Sequence, residues 1–371
     1  ISQSGDGYKA SIYLELKNEK GNSTNYTLEK IYKAKDVVKN RTVPLGFSVW
    51  PDIKINNWDQ YYFYYDGNAQ VNILPKNIFS VDDIREKLES LNQVEKIKFI
   101  GNMINSHQII GEEIPIQRTT AVTELRTLKS SPEAVMCNVA TQATGNAYTD
   151  HSKRLDVGLI LIPEPQKIQE TSNQWSIGID FGTSNSCVYY KENKEEPKSL
   201  NFKDRINLPY EPGTDEEEVE EVMQAHKEFV PSRVVTVPFM TILRERIFKE
   251  TTMDNLPFRS NFIYYVDQVL YAIEDLPDDK RPLKFNLKWD EAEQSRTKVQ
   301  YFVSQVILQA AVEAAANGVK RENLDFNFSY PEAYTSEHLR AFKRITKRSV
   351  NIGLSDTNFK TQEKTKFLTE S

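Results

Sequence analysis

The stretch IGIDFGTSNSCVYY at 177–190 constrains what this chain can fold into more than any other. Ile177 and Ile179 alternate with Gly178 and Asp180, the period of a strand with one face in a core. Asp180 falls at the strand end, facing a turn. In that turn Gly182 permits close approach to the backbone, and Thr183, Ser184 and Asn185 supply hydroxyl, amide and main-chain N–H donors. Such a turn can cradle phosphate oxygens with backbone N–H groups. An acidic residue at its base suits Mg2+, which takes one or two carboxylates and keeps several waters. Local composition alone favours an ordinary hairpin turn, so the rest of the chain has to decide.

The chain has 371 residues. Single cores seldom grow past a couple of hundred residues, so roughly two or three domains are expected, with two as the starting count. With 18 Tyr and 18 Phe there is ample aromatic surface to bury, and the chain reads as a soluble globular protein. Its net charge of −6 argues against a generic binder of nucleic-acid backbones, so no nucleic-acid partner is expected. Apolar runs such as GLILIP at 158–163 fall far short of the about 20 residues a membrane-crossing helix needs, so no membrane span is expected. Cys137 and Cys187 are the only cysteines, and two free thiols fit a reducing cytoplasm. The N-x-S/T triplets at Asn22, Asn25 and Asn40 carry little weight, and the histidines at 107, 151, 226 and 338 lack metal-ligand spacing. From its start at Ile1 and its end at FLTES, the chain is expected to be a fragment of a longer protein.

Residues 1–170 read as a β-rich domain of unknown role. YKASIYLELK at 8–17 alternates, with Ala10, Ile12, Leu14 and Leu16 on one face, and NEKGN follows as a turn. FSVWPDIKINNWDQYYFYYDGN at 47–68 concentrates Trp50, Trp58, Tyr61, Tyr62, Phe63, Tyr64 and Tyr65 around a strand that ends at Asp66-Gly67. Alternation cannot put all five rings of YYFYY inside one core, so docking against the second domain is their expected use, with a peptide or carbohydrate platform as the sharper alternative. A short helix is expected near 80–92, with Ser80 as its N-cap. The polar segment 167–175 marks a boundary. Within the second domain, 175–371, residues 191–228 read as a charged, solvated insertion containing DEEEVEE at 215–221. A long buried helix is expected over 291–317, with Val299, Phe302, Val303, Val306, Ile307 and Ala310 at helical spacing and Gly318 as its stop. A strand over 324–331 and a helix starting near Thr335 and Ser336 follow, an α/β sequence of elements. On that helix Arg340, Lys343, Arg344, Lys347 and Arg348 form a basic stripe, read as a solvated face opposite Leu339, Phe342 and Ile345.

The hairpin resembles the first phosphate motif of the seventy-kilodalton heat-shock chaperone family, where I-G-I-D-L-G-T-T-N-S-C-V is typical; this chain departs only at Phe181 and Ser184. Four further segments are similar to that family and occur in its order. They are FVPSRV at 229–234 against T-P-S-x-V, FNLK at 285–288 against F-D-A-K, FNFSYPEAYTSEHLRAFKRI at 326–345 against the strand and V-P-A-Y-F segment, and FLTES at 367–371 against I-N-E-P. The resemblance covers about 175–371 and implies the first lobe of an α/β actin-like ATPase of ribonuclease H-like fold, preceded by a β-rich domain. It implies ATP and Mg2+ as ligands, with Asp180 holding Mg2+ through water and Gly182, Thr183, Ser184 and Asn185 holding the β- and γ-phosphates. Lys288 would face the γ-phosphate and the attacking water, with Lys284 as the competing lysine. Glu370 would orient or deprotonate that water, against the alternative of an acid at a helix start. The family's second phosphate loop and adenine contacts lie beyond the matching region, so this lobe alone is expected to bind ATP weakly and hydrolyse little or none. Three functions follow: an ATP-hydrolysing chaperone-like protein with an unidentified client, a non-enzymatic nucleotide-sensing module whose aromatic β-domain binds a protein, and, from the fold alone, a sugar-kinase relative.

Overall fold

The computed structural model describes residues 2–4, 7–17, 21, 23–33, 47–56, 58–65, 72–78, 81–105, 111–113, 116–119, 125–140, 154–210, 234–244, 261–262, 283–284, 287–289, 293–354 and 365–369. The chain divides into two compact units. One contains Ile1–Pro44, Asn68–Ile114 and Pro132–Ile162, and the other Leu45–Gly67, Pro115–Ser131 and Pro163–Ser371.

In the first unit, a three-stranded antiparallel sheet holds Ser2–Ser4, Gly7–Lys17 and Ser23–Lys33 in that order. The strand expected over 8–17 forms one arm of the long hairpin, and Lys9 and Glu29 pair across it at 2.7 Å. A four-stranded antiparallel sheet runs in the order Arg154–Leu161, Ala134–Ala140, Asn72–Ile78, Gly111–Glu113. Its Ala134 and Met136 form a core with Ile84, around which Leu74, Leu88, Phe99, Met103, Leu159 and Leu161 pack. The helices that supply four of those side chains, Ile84, Leu88, Phe99 and Met103, are Val81–Glu89 and Gln93–Asn105. The sequence leads to one helix here, and the second is a finding. Asn92 starts it through a reciprocal capping pair: Glu95 N–H donates to Asn92 Oδ1 (3.1 Å) and Asn92 N–H to Glu95 Oε2 (3.0 Å). Ser80 lies outside the described residues.

The second unit is built on a sheet whose five main strands are β1 (Trp175–Phe181), β2 (Asn185–Glu192), β3 (Lys198–Ser199), β4 (Leu324–Tyr330) and β5 (Thr365–Thr369). Their spatial order is β3-β2-β1-β4-β5. The first three are antiparallel, and β1, β4 and β5 are parallel. Two helices serve as crossovers: α1 (Glu293–Ala316) precedes β4, and α2 (Ser336–Leu354) joins β4 to β5. Parallel neighbours need such long connections, usually helical.

One face of this sheet is apolar. Trp175, Ile177, Ile179 and Phe181 of β1 and Leu324, Phe326 and Phe328 of β4 are all buried. Phe181 meets Phe302 of α1 with ring centroids 5.6 Å apart, and Phe328 meets Phe342 of α2 edge-on at 6.5 Å. Each such side chain contributes about 1.5–3 kcal/mol by leaving water. Helix α1 closes as its sequence predicts. Gly318 takes φ +79°, and its N–H donates to the Ala315 carbonyl while that of Val319 reaches Ala314. At the start of α2, Thr335 Oγ1 accepts the His338 N–H at 3.2 Å, as a capping threonine should.

The aromatic segment belongs to this second unit. A five-stranded antiparallel sheet runs Asn207–Tyr210, Phe47–Trp50, Tyr61–Tyr65, Leu125–Leu128, Ile116–Thr119. Tyr61–Tyr65 is therefore an interior strand. Tyr61, Tyr62 and Phe63 are 2%, 0% and 0% exposed, so both of its faces are covered. Gln60 Nε2 donates to the Gly353 carbonyl of α2 (3.1 Å), and the Arg321 guanidinium lies 4.8 Å from the Trp58 ring while pairing with Asp59 at 3.0 Å. These contacts lie within one compact unit, so the cluster is part of that unit and not the docking face of a separate domain. Asp66-Gly67 lies outside the described residues.

The front of the segment 191–228 is built into the fold. Phe202 and Val235 form an isolated antiparallel bridge, and Asn207–Tyr210 is an edge strand of the aromatic sheet. The acidic run 215–221 lies outside the described residues. Among the described residues no helix is long and apolar enough to cross a membrane.

Candidate functional site

The hairpin of β1 and β2 closes between Phe181 and Ser186, leaving Gly182, Thr183, Ser184 and Asn185 as its turn. The turn is tight enough to need glycine: a Cβ on Gly182 would lie 2.1 Å from the Asn185 carbonyl oxygen. Ser184 and Asn185 are exposed, and Gly182 and Thr183 half-buried. The strand Phe239–Met240 supports the turn from the side by pairing Met240 with Asn185 and Phe239 with Ser186. Thr241 adds two contacts: its N–H donates to the Ser184 carbonyl (2.8 Å), and its hydroxyl meets that of buried Ser186 at 2.7 Å. The four residues read from the sequence as a cradle thus form one supported turn.

Asp180 stands exposed one residue before the end of β1. Its Oδ1 accepts a hydrogen bond from Ser329 Oγ at 2.7 Å. Directly behind it on β2, Cys187 is in register with Asp180. Burial first, and the Asp180 carboxylate second, raise the Cys187 thiol above its ordinary value. Neither Ser329 nor Thr241 stands out in the sequence. Only the period of FNFSY, which sets Asn327 and Ser329 on the face opposite Phe326 and Phe328, marks Ser329 as accessible.

The three parallel strands end together. Tyr330 of β4 is in register with Thr369 of β5, and Ile179 of β1 with Phe328 of β4. The chain runs outward from β1 to β2 and β3 on one side and to β4 and β5 on the other, so the strand order reverses at β1/β4. In open α/β sheets, ligands bind outside the carboxyl ends of strands at such a switch point. Asp180, Ser329 and the turn lie there.

The remaining assigned residues are placed less completely. Lys288 is half-buried on the single turn Leu287–Trp289 shortly before α1. Lys284 belongs to the strand Leu283–Lys284, which pairs with Leu243–Arg244, only two residues beyond Thr241. Glu370 lies outside the described residues and follows Thr369, the last residue of β5. Of FVPSRV, only Val234 is described.

An exposed carboxylate with one oxygen engaged by a hydroxyl suits a hydrated Mg2+, which needs few protein ligands beside water and phosphate. The donor set of the turn, hydroxyls and main-chain N–H groups, is equally suited to phosphate oxygens. Among the described residues, no group of three or more His, Cys, Asp and Glu gathers as a metal cage. No protein-family model matches the chain, and neither the curated proteins nor the solved structures yield a significant match.

Proposed function

We propose that residues 175–371 form one lobe of an actin-like, ribonuclease H-like ATPase core in a chaperone-like protein, which takes up Mg2+-ATP at the β1–β2 turn. The observation that carries this reading is the position of Asp180 and the 182–185 turn at the carboxyl edge of β1, where the strand order reverses. Three antiparallel strands followed by two parallel ones reached through helices is the arrangement a ribonuclease H-like lobe calls for, and it supports the fold inferred from the five similar segments.

In this reading the N–H groups and hydroxyls of Gly182, Thr183, Ser184 and Asn185 hold the β- and γ-phosphate oxygens, and Asp180 accepts hydrogen bonds from water on the metal. When bound, Mg2+ neutralises charge on the phosphate oxygens. A lysine, Lys288 or Lys284, favours the developing charge near the γ-phosphate, and Glu370 orients the attacking water. A second lobe completes the nucleotide site, and closure of the lobes biases a two-state opening. The two free thiols suit a reducing compartment, and the cytoplasm is the location we assign. A non-enzymatic module that binds a protein through its aromatic residues is less well supported, because Trp50, Trp58, Tyr61, Tyr62 and Phe63 are buried.

ATP turnover by the full-length protein tests the proposal against an Asp180→Asn variant. The expected result is a loss of at least about 100-fold in the variant, the scale on which removing a group that stabilises developing charge acts. Equal rates, or none in either protein, overturn the enzymatic reading.

A further inference from the structure

Asp180 takes part in a polar ladder that runs along one face of the β1/β4 pair. Asn327 Nδ2 donates to Ser176 Oγ (2.7 Å) and to the Ile177 carbonyl (3.4 Å), and two residues further on Ser329 Oγ donates to Asp180 Oδ1 (2.7 Å). The opposite face of the same strands holds buried Ile177, Ile179, Phe326 and Phe328, so a one-residue slip would exchange the polar and apolar sets. The register is therefore pinned from both sides. The core thus holds the Ser329 backbone opposite Asp180, within reach of its carboxylate.

We infer that Ser329 is a positioning residue for the proposed metal-binding carboxylate: its hydroxyl, 2.7 Å from Asp180 Oδ1, restricts the rotation of the carboxylate that would hold hydrated Mg2+. The inference rests on the Mg2+-ATP reading of the site. The torsion that turns an Asp carboxylate is broad and roughly two-fold, so an exposed Asp at a strand end would sample many orientations without a fixed partner. A hydroxyl donor on a parallel neighbouring strand, in a register set by the core, supplies that partner. Ser329 also donates to a charged acceptor, the stronger class of hydrogen bond. Partners that orient a metal-binding group without touching the metal carry about 10–100-fold of its affinity when removed.

The test is calorimetric binding of ATP by the full-length protein, with Mg2+ and with Mg2+ chelated. It uses wild type, Ser329→Ala, Ser329→Thr, Asp180→Asn and the Ser329→Ala/Asp180→Asn double variant. Ser329 is only half-buried, so loss of its hydroxyl leaves the core intact, and thermal unfolding of each variant checks this. Expected is an about tenfold loss of Mg2+-dependent affinity in Ser329→Ala, the lower end of that range, with Mg2+-free binding unchanged. Ser329→Thr, which keeps the hydroxyl, restores the affinity, and Ser329→Ala adds nothing once Asp180 is Asn. If Ser329→Ala binds Mg2+-ATP as wild type does, or weakens binding equally in both Asp180 backgrounds, the positioning role is overturned while the site reading stands. If wild type binds ATP no better with Mg2+ than without it, both fall together.

Discussion

Asp52 is a single side chain that sets part of the acid response of the second unit. Its N–H donates to the Arg205 carbonyl (2.7 Å), and its Oδ1 accepts from Asn207 Nδ2 at 3.0 Å. Burial raises its carboxyl above the usual Asp value, Asn207 and Arg205 pull it down, and Asp204 adds to the rise. Asp204 is itself raised by burial, against the N–H of Ile206. A carboxyl raised in the folded state binds its proton more tightly there than in the unfolded chain. Its contribution to stability is therefore present at acid pH and is lost as pH climbs through the folded value. Asp52→Asn keeps an oxygen for Asn207 and abolishes this titration. In urea unfolding, the variant should gain on wild type as pH rises above the ordinary Asp value of about 3.9, with the gap closing at the acid end. A gap that widens toward acid would mean that the ionised carboxylate is the favoured form.

At the scale of elements, helix α1 carries its cost on the polar side. Gln300, Ser304, Gln305, Gln309 and Glu313 are buried together with the apolar stripe. Glu313, 3% exposed, receives two bonds from Arg205, Nη2 to Oε2 at 2.7 Å and Nε to Oε1 at 3.0 Å, and a third from the Lys203 N–H at 2.7 Å. Removing one partner of a buried pair leaves a charge without compensation and costs about 3–5 kcal/mol, whereas replacing both with apolar groups is often neutral. Glu313→Gln should thus lose about 3 kcal/mol in urea unfolding, and Glu313→Met with Arg205→Met should recover most of it. A double variant as unstable as the sum of the singles would contradict this. The helix itself is legible in the sequence, because Val299, Phe302, Val303, Val306 and Ile307 repeat at its period and Gly318 stops it. So is the β1–β2 turn, because its chemistry is local. What pairs with Glu313 is not legible, since Arg205 is more than a hundred residues away and only the fold brings them together. The Ser329–Asp180 bond is hidden for the same reason: it needs the register of two strands distant in sequence. Gln93–Asn105 is masked by Gly101 and by the polar break at Asn92, whose side chain proves to start a helix.

At the scale of the whole chain, the compact units do not follow a single cut in the sequence. Leu45–Gly67 and Pro115–Ser131 belong with Pro163–Ser371 although both lie within the first 170 residues. They supply four of the five strands of the aromatic sheet, and Asn207–Tyr210 is the one strand that comes from beyond residue 170. A chain starting at Trp175 would keep the β1–β2 turn and both crossover helices. It would lose Gln60 from the Gly353 carbonyl and Trp58 and Asp59 from Arg321, a side chain only 11% exposed. The surface left on α2 and around Arg321 would expose apolar area and a buried guanidinium at once. Residues 175–371 expressed alone should therefore bind a hydrophobic dye and unfold without a sharp thermal transition, features of a compact chain lacking fixed packing. The 371-residue chain should show a cooperative transition and little dye binding. If the 175–371 piece instead melts cooperatively and excludes the dye, the aromatic segment is an accessory to the lobe, and the strands from 47–65 and 116–128 are not part of its core.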